Sequence, residues 1–587
     1  MAGDARAKEL LDLGDRLYTR RDPMLTLWQE IADNFYVERG NFTREFTTGE
    51  EFADHVTDGF CHLMRRELGN SISAMLRPRE RPWFGLTTSD PDRDREPENA
   101  AYMEYVTAKM KRALYDPRAK FIDATKGSDH DFVTFGQACM SVEDYRDDGH
   151  LFFRQHHLRD LAWLDNAKND ITELHRKDRM SARQMKQTFK EENLARPVKE
   201  ACKKDPGAEF NVRHVCMPIE DYDYLEGSKK TNRRGKRLKY VSIYIDADNC
   251  KILKEGAYLD FPYIIPRWHK VSGMSYAFSP ATTIALPDAR MMQQMARIIL
   301  EAGEKAVDPP LVASGENIRE ANLAAGAITW ADALADGDVR KAVMPIAIEN
   351  NMQVAFAMRQ DMREMMTKAW FVEKLTLPPV AGSDQMTAEE VRIRQDEFIR
   401  NLLPLFEPME IEYNTKLLDK SYALMREMGA FNDDEVPEDL AGADVSWQFE
   451  SPLQVATRRQ LTSQFTEVIN LIGLYAQIAP MAEQMPIPVD LTKGLKDAIY
   501  GIGSPSDWSK SNQAMAEEAQ AKADQAEQMQ QMQAIQGGAL VAQDVADASM
   551  KVGEAMQPPV PQMVGKPVQQ KQIAGPSKSP AKKKEAA

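Results

Sequence analysis

Cysteine is scarce in this 587-residue chain: Cys61, Cys139, Cys202, Cys216 and Cys250 are the five present, and no CxxC spacing links any two. That excludes a zinc ribbon and predicts reduced thiols rather than a disulfide framework. Long apolar runs are missing too. No stretch approaches the roughly 20 residues a membrane-spanning helix needs. The opening MAGDARAKELLDLGDRL is charged and helical, without the apolar core of a signal peptide. These absences predict a protein that is neither secreted by a standard signal nor inserted in a membrane. Positive charge is in deficit, with 75 basic against 90 acidic residues and a net charge of -15. A chain so balanced does not wrap DNA by counterion release, which needs surplus Lys and Arg. It can still surround DNA without gripping it. Catalytic signatures are lacking as well: no GxxxxGK[ST], HExxH or GxSxG occurs, and no Cys/His pair carries a recognisable local signature. No cofactor or metal is implied, and there is no internal repeat.

What is present reads as globular. Hydrophobic residues make up 43% of the chain and charged residues 28%, and the length calls for several domains. Methionine is abundant, at 32 residues, which suits helix contacts that must adapt. The first part of the chain predicts helices. Leu25, Trp28, Ile31, Ala32 and Phe35 share one face, with Pro23 near the start. A second helix falls in HVTDGFCHLMRRELGNSISAMLRP, and Trp83, Phe84 and Leu86 then enter the core in extended form. A further helix covers PENAAYMEYVTAKMKRALYD. Residues 139–265 are strand-rich, interrupted by the short helix SARQMKQTFK with Ser181 as its N-cap.

Two long helical patterns come next. In the first, Ile284, Met291, Met295, Ile298, Ile299 and Ala302 form an apolar stripe, opposed by Arg290, Gln294, Arg297, Glu301 and Glu304. Pro287 marks a kink or the real start, and Asp308-Pro309-Pro310 stops the helix. In the second, Ala355, Met358, Met362, Met365, Ala369 and Val372 step by three and four along a helix of roughly 35 Å. Between them lies a small module, so the pattern is a helical hairpin with a module at its tip. LTLPPVAGSDQM then reads as a loop. Thr387 and Glu390 open another helix with a capping box, and Pro404 and Pro408 kink or break its continuation. Beyond 505 the chain turns Ala/Gln/Glu/Met-rich and then Pro/Gln/Lys-rich, a helix and then a disordered tail.

Each chemical candidate has a plainer reading. Asp90, Asp92, Asp94 and Glu96 lack a compact ligand loop and read as a solvated turn. His156 and His157 are adjacent, so on a strand they point to opposite faces and do not converge on a metal. The cluster Lys229, Lys230, Arg233, Arg234, Lys236 and Arg237 contacts phosphates or, as favoured by the flanking strands, forms a solvated hairpin loop around Gly235. Arg359, Arg363 and Lys368 face a DNA path or pair with Asp361 and Glu364.

The ordered segments LGNSISAMLRPRERPWFGL, FGQACMSVE, NDITELHRKDRMSARQMKQTF, FPYIIPRWHKVSGMSYAFSP and VSWQFESPLQVATRRQ resemble the head-to-tail connecting (portal) proteins of short-tailed bacteriophages, over roughly residues 10–480. Ala277 stands where that family usually has Gly after the tyrosine, here Tyr276. The resemblance implies an α+β, mainly α, portal fold assembled as a dodecameric ring. Its parts are a wing at 1–278, a first stem helix at 279–307, a clip at 308–347, a second stem helix at 348–373 and a tunnel loop at 374–387. A long kinked helix returning to the wing at 388–452, a helical crown at 453–556 and a disordered tail at 557–587 complete it. It places Ala381, Gly382, Ser383, Asp384 and Gln385 at the narrowest part of a channel, Arg359, Arg363 and Lys368 at the lumen, and Met358, Met362 and Met365 between copies.

The function so implied is a non-catalytic channel at one capsid vertex, through which double-stranded DNA is packaged and ejected. Its implied partners are other copies of the chain, the DNA, the terminase, a tail adaptor protein, the major capsid and scaffolding proteins, and internal core or ejection proteins at the crown, with no membrane. Its implied place is the virion, and the host cytoplasm during assembly. An acidic or mixed lumen fits a channel that DNA must slide through. The competing expectations are a tail adaptor or ejection protein and, set against the missing phosphate loop, a nucleic-acid-processing enzyme.

Overall fold

A computed structural model describes residues 2–307, with breaks at 48, 80–81, 95, 146–148 and 223–237; beyond these it describes 311–313, 343–345, 352–375, 409–431, 436–437, 440, 445–449, 466–470, 498 and 520–525. The fold is mixed and mainly helical. It divides into two units, residues 1–509 and 510–587. In the second unit the described residues are the helical segment 520–525.

Helix α1 runs unbroken from Ala2 to Phe35 with Pro23 inside it. The expectation that Pro23 stands near a helix start is therefore corrected. The proline removes one backbone donor, and tertiary packing on both sides of it carries the helix through. Downstream, Trp28, Ile31, Ala32 and Phe35 are buried as their spacing predicted. Upstream, Ala7, Leu10 and Leu11 pack on Val215, Val241 and Ile243 of the large sheet. Gly14 permits that approach, since a Cβ there would stand 2.4 Å from His175 Nδ1. Helix α2 (Phe60–Leu76), the short α3 (Pro91–Asp94), α4 (Pro97–Leu114) and α5 (Phe121–Phe135) come after it. Strand β1 (Phe84–Thr88) buries Trp83, Phe84 and Leu86, as expected from the sequence.

Among the described residues, eight strands lie between 139 and 264. Strands β2 (Cys139–Tyr145) and β3 (His150–His156) form a three-stranded sheet with β9 (Tyr263–Ile264), in the order β3-β2-β9. Strands β4 (Leu161–Asp165), β5 (Ile171–Ser181), β6 (Glu209–Pro218), β7 (Tyr240–Asp246) and β8 (Lys251–Tyr258) form an antiparallel meander in sequence order. Between β5 and β6 lie helices α6 (Ala182–Thr188) and α7 (Arg196–Lys204). Ser181 caps α6 through a complete capping box: Gln184 N donates to its Oγ at 3.3 Å, and Ser181 N donates to Gln184 Oε1 at 2.9 Å. Gly136, at φ +75, ends α5 in the left-handed region and leaves no room for a Cβ beside the Phe278 carbonyl carbon, 2.4 Å from where one would stand.

A polar network is buried between the two sheets. Arg176 Nη1 lies 3.0 Å from the Tyr263 hydroxyl and 3.3 Å from His156 Nε2, and His156 also meets the Ser141 hydroxyl at 2.9 Å. His214 bridges Tyr263 (2.5 Å) and Ser242 (2.9 Å). Burial, reinforced by Arg176, holds both imidazoles well below their ordinary pKa, so they are neutral.

The chain leaves this body through α8 (Leu286–Val307) and returns through α9 (Met352–Ala369) and the short α10 (Val372–Leu375). Strands β10 (Leu311–Ala313) and β11 (Val343–Pro345) pair antiparallel just outside them. Pro287 explains how α8 begins. Its ring crowds the carbonyl four residues back and supplies no N–H. The preceding turn, Ala281–Ala285, therefore widens to π geometry, and Leu286 N donates to the Ala281 carbonyl five residues back. The α-helix starts at Leu286, which makes Pro287 the mark of a real start.

The described chain resumes at residue 409, within the same unit. A π turn at Glu410–Thr415 leads into α11 (Lys416–Glu427), whose Leu417 and Leu418 close a second core with Val106, Met110, Leu114 and Phe121. Strand β12 (Val445–Phe449) pairs with β1. Arg77 is buried here, paired with Asp129, donating to Asn414 Oδ1 at 3.1 Å and lying over the Tyr413 ring. This ties the returning segment to α5 and the end of α2.

Candidate functional site: the helix pair α8 and α9

Helices α8 and α9 pack on each other, and their two halves meet different surroundings. On α8 and the π turn before it, Ala285, Leu286, Ala289 and Met292 pack into the Trp28–Phe35 core, Ala296 is buried as well, and no described residue of α8 past Ala296 is buried. On α9 the order is reversed. Nothing described between 353 and 361 is buried, while Met362, Met366, Ala369 and Trp370 are. Trp370 stacks edge-on against Phe35 at 5.1 Å. So the ends near residues 286 and 369 are embedded. The ends near 307 and 353 leave the described body uncovered.

The exposed surface is apolar in a regular way. Ile284, Met291 and Ile298 are 54%, 52% and 62% exposed. Met291 and Ile298 stand seven residues apart on α8, so one lies only about 20° round the helix from the other, and Ile284 lies in the π turn before them. Leu300 and Val307 extend the line of the buried face past the point where anything described covers it, and both are exposed. On α9, Val354, Met358 and Met365 form a second exposed stripe, with Phe356 on another side. Exposed large apolar side chains therefore recur along both helices rather than standing singly.

The sequence-predicted residues fall unevenly on this frame. Met358 and Met365 are exposed, whereas Met362 faces inward into the chain's own core. A helical step of three or four places neighbours on adjoining strips, and only one of those strips meets the core. Arg363 donates from Nη2 to Asp58 Oδ2 at 2.9 Å and lies over the Phe60 ring, so its partner is neither Asp361 nor Glu364. Arg359 lies over Phe356 at 5.6 Å. Lys368 is exposed, and its nine-residue offset from Arg359 puts it about half a turn away, so the three cations do not share a face. Ala381, Gly382, Ser383, Asp384 and Gln385, residues 388–408 of the long helix after them, most of the crown and all of the tail lie outside the described residues. So does the basic cluster at 229–237, although its flanking strands β6 and β7 are antiparallel neighbours.

The remaining candidates are structural. Asp94 accepts from Thr88 N (3.0 Å) and Thr88 Oγ1 (2.7 Å), and Arg93 pairs with Asp90. His157 Nδ1 accepts from Arg159 N, and burial first, then Arg39, pushes its pKa down to about 2. No group of metal-ligating side chains occurs among the described residues. None of the described helices is long and apolar enough to cross a membrane.

Sequence reasoning missed the alanine-rich face of α8 and the contact of both helices with the turn at Thr57–Phe60. The spacing of Ala285, Ala289, Met292 and Ala296 was a readable signal, overshadowed by the bulkier Ile284–Met291–Ile298 stripe. The Asp58 contact had no local signal, because its partners are far along the chain.

Comparison with known proteins bears on this arrangement. The profile of the family described as bacteriophage head to tail connecting protein matches residues 7–508. A protein of Bordetella phage BPP-1 described as a probable portal protein is 26% identical over 489 residues, covering 82% of this chain and 85% of that one. The portal protein of Salmonella phage epsilon15 is 24% identical over 486 residues, with the same two coverages of 82% and 85%.

Proposed function

The chain belongs to the bacteriophage head to tail connecting protein family, and from that premise we propose how its parts divide the work. It functions as a phage portal, a structural component at the head–tail vertex of the virion rather than an enzyme. In this reading, copies assemble head-to-tail into a closed ring, with α8 and α9 as the stem and residues 1–278 as the wing. Genomic double-stranded DNA passes through the ring in packaging and ejection.

The observation that carries the ring is the exposed apolar stripe on each helix of one protomer. A head-to-tail contact joins two different surfaces, and Ile284–Met291–Ile298 on one copy with Val354–Met358–Met365 on the next supplies two. Met362 is left out of this contact because the protomer's own core already covers it. Native mass spectrometry and negative-stain microscopy test the reading on the full chain. A hollow ring is expected. A wild-type chain that stays monomeric, or a ring whose size is unchanged by Ile298→Asp with Met358→Asp, overturns the contact.

The module at 308–347 is the docking end, for the terminase during packaging and for a tail adaptor afterwards. Support comes from its place between α8 and α9, closed off by the β10–β11 pair. Replacing it with a Gly/Ser linker is expected to leave the wing folded and to abolish packaging. The loop 374–387 is the collar at the narrowest point. It carries Asp384 and no Arg, with its single Lys at Lys374, so it acts sterically rather than as a phosphate clamp. A cysteine introduced by Ser383→Cys should label readily in empty rings and slowly in DNA-filled ones. Capsid and scaffolding proteins meet the wing, and internal core or ejection proteins meet the crown.

A further inference from the structure

Both helices of the pair are fastened to one short turn of the N-terminal region. Gln293 of α8 makes three hydrogen bonds to it: its Oε1 accepts from Thr57 N (2.9 Å) and Asp58 N (3.0 Å), and its Nε2 donates to the Asp58 carbonyl (2.8 Å). Arg363 of α9 donates to Asp58 Oδ2 at 2.9 Å. The other carboxylate oxygen, Oδ1, accepts from Phe60 N at 2.9 Å at the start of α2. The Asp58 side chain is 8% exposed, and Arg363 closes over the Phe60 ring at 4.9 Å. One turn of α9 further on, the Thr367 hydroxyl meets Met64 Sδ of α2 at 3.8 Å. Below the turn, Cys61 is fully buried.

We propose that the Thr57–Phe60 turn is a clasp that locks α8, α9 and α2 in one register, so that the helix pair moves with the N-terminal helices as a single body. Three features support this. The bonds come from two helices that are not adjacent in sequence, yet both end on the same residue. Asp58 uses its backbone N–H, its carbonyl and both carboxylate oxygens, so no partner can shift without straining another. And the site is dry enough that an abandoned carboxylate is costly, since a buried charge that loses its partner is worse than none. Sliding either helix by one turn, about 5.4 Å, would break its bonds to Asp58 and leave only the other helix's bonds on that residue. The proposal concerns the protomer and does not depend on the ring.

Hydrogen exchange measured by mass spectrometry on the full chain tests it. The variants are Arg363→Met, Gln293→Leu and, as a control for plain loss of packing, Met366→Ala. Each is compared with the wild type in the same assembly state, so a failure here is distinct from a failure of the ring reading. The clasp predicts effects that cross between helices. Arg363→Met on α9 should speed exchange across 286–296 of α8 by roughly tenfold or more, the change expected when a charge-assisted bond is lost. Gln293→Leu on α8 should do the same for 360–369 of α9. Met366→Ala should loosen 360–369 and leave 286–296 much closer to wild type. The meander strands, 171–246, serve as the unaffected reference. Exchange that rises only in the mutated helix overturns the proposal. So does a Met366→Ala profile that spreads into α8 as far as that of Arg363→Met.

Discussion

The embedded and the exposed halves of α8 are built from different apolar residues, and the assignment runs against first intuition. The embedded half buries Ala285, Leu286, Ala289, Met292 and Ala296, while the exposed half carries Ile298 and Leu300 in the open and Ile299 half-buried. Alanines alternate with Leu286 and Met292 where the helix packs on α1 and α9. Bulky residues sit where nothing described in the chain covers them. Hydrophobicity alone would place the core at the wrong end. What marks the embedded half is that alanine fills three of its five buried positions, Ala285, Ala289 and Ala296, because close helix approach needs little volume at the contact.

This contrast can be broken by experiment. The largest expected effect is on the embedded side, by acid. Burial first, and neighbouring arginines second, hold His130 (to about 4), His156, His157 and His214 below the ordinary imidazole range. Unfolding therefore takes up protons once the pH drops below about 6.5, the unperturbed value. Stability is full above that pH and falls as the pH decreases toward the depressed folded-state values. The slope is up to about 1.4 kcal/mol per pH unit for each such histidine. Neither α8 nor α9 contains a histidine, so the exposed half contributes nothing to this loss. Denaturation midpoints at pH 7.5 and 5.5 measure it, and equal midpoints would refute it.

Next comes Trp370→Ala. This side chain is fully buried at the embedded end of α9, and its removal should cost about 3–5 kcal/mol in urea unfolding. A smaller loss tests the size argument directly. Ala289→Leu adds volume where the helices are closest and should cost about 1–3 kcal/mol, although it makes the face more apolar. A stabilised Ala289→Leu variant would show that the embedded face is not close-packed. The smallest effect on the protomer belongs to the exposed half. Ile298→Asp should change protomer stability by no more than about 0.5 kcal/mol, yet light scattering should show assembly reduced or lost. If Ile298→Asp unfolds the protomer instead, the residue belongs to the core and the contrast collapses.

Much of the local structure was legible. The Ser181 N-cap, the buried face of Trp28 to Phe35 and the entry of Trp83, Phe84 and Leu86 in extended form all arise from side-chain periodicity and capping chemistry, which act within a few residues. The start of α8 at Pro287 was legible as one of two alternatives. Pro23 was misleading because the packing of α1 on the sheet outweighs one missing hydrogen bond. At the candidate site, the apolar stripes were legible, but which strip of α9 turns inward was not. Met358, Met362 and Met365 are alike as residues, and only the position of the core around Phe35 and Leu68 makes Met362 the buried one.

By itself, then, the sequence determined where most of the described helices and strands run and which family pattern the chain follows, because these depend on short-range spacing and on order along the chain. Tertiary structure alone decided that Arg363 serves Asp58, that β12 completes β1, that Arg77 is buried with Asp129 and Asn414, and that one half of α8 is core and the other half open surface. These contacts join residues far apart along the chain, and long-range pairing leaves no periodic trace in a single sequence.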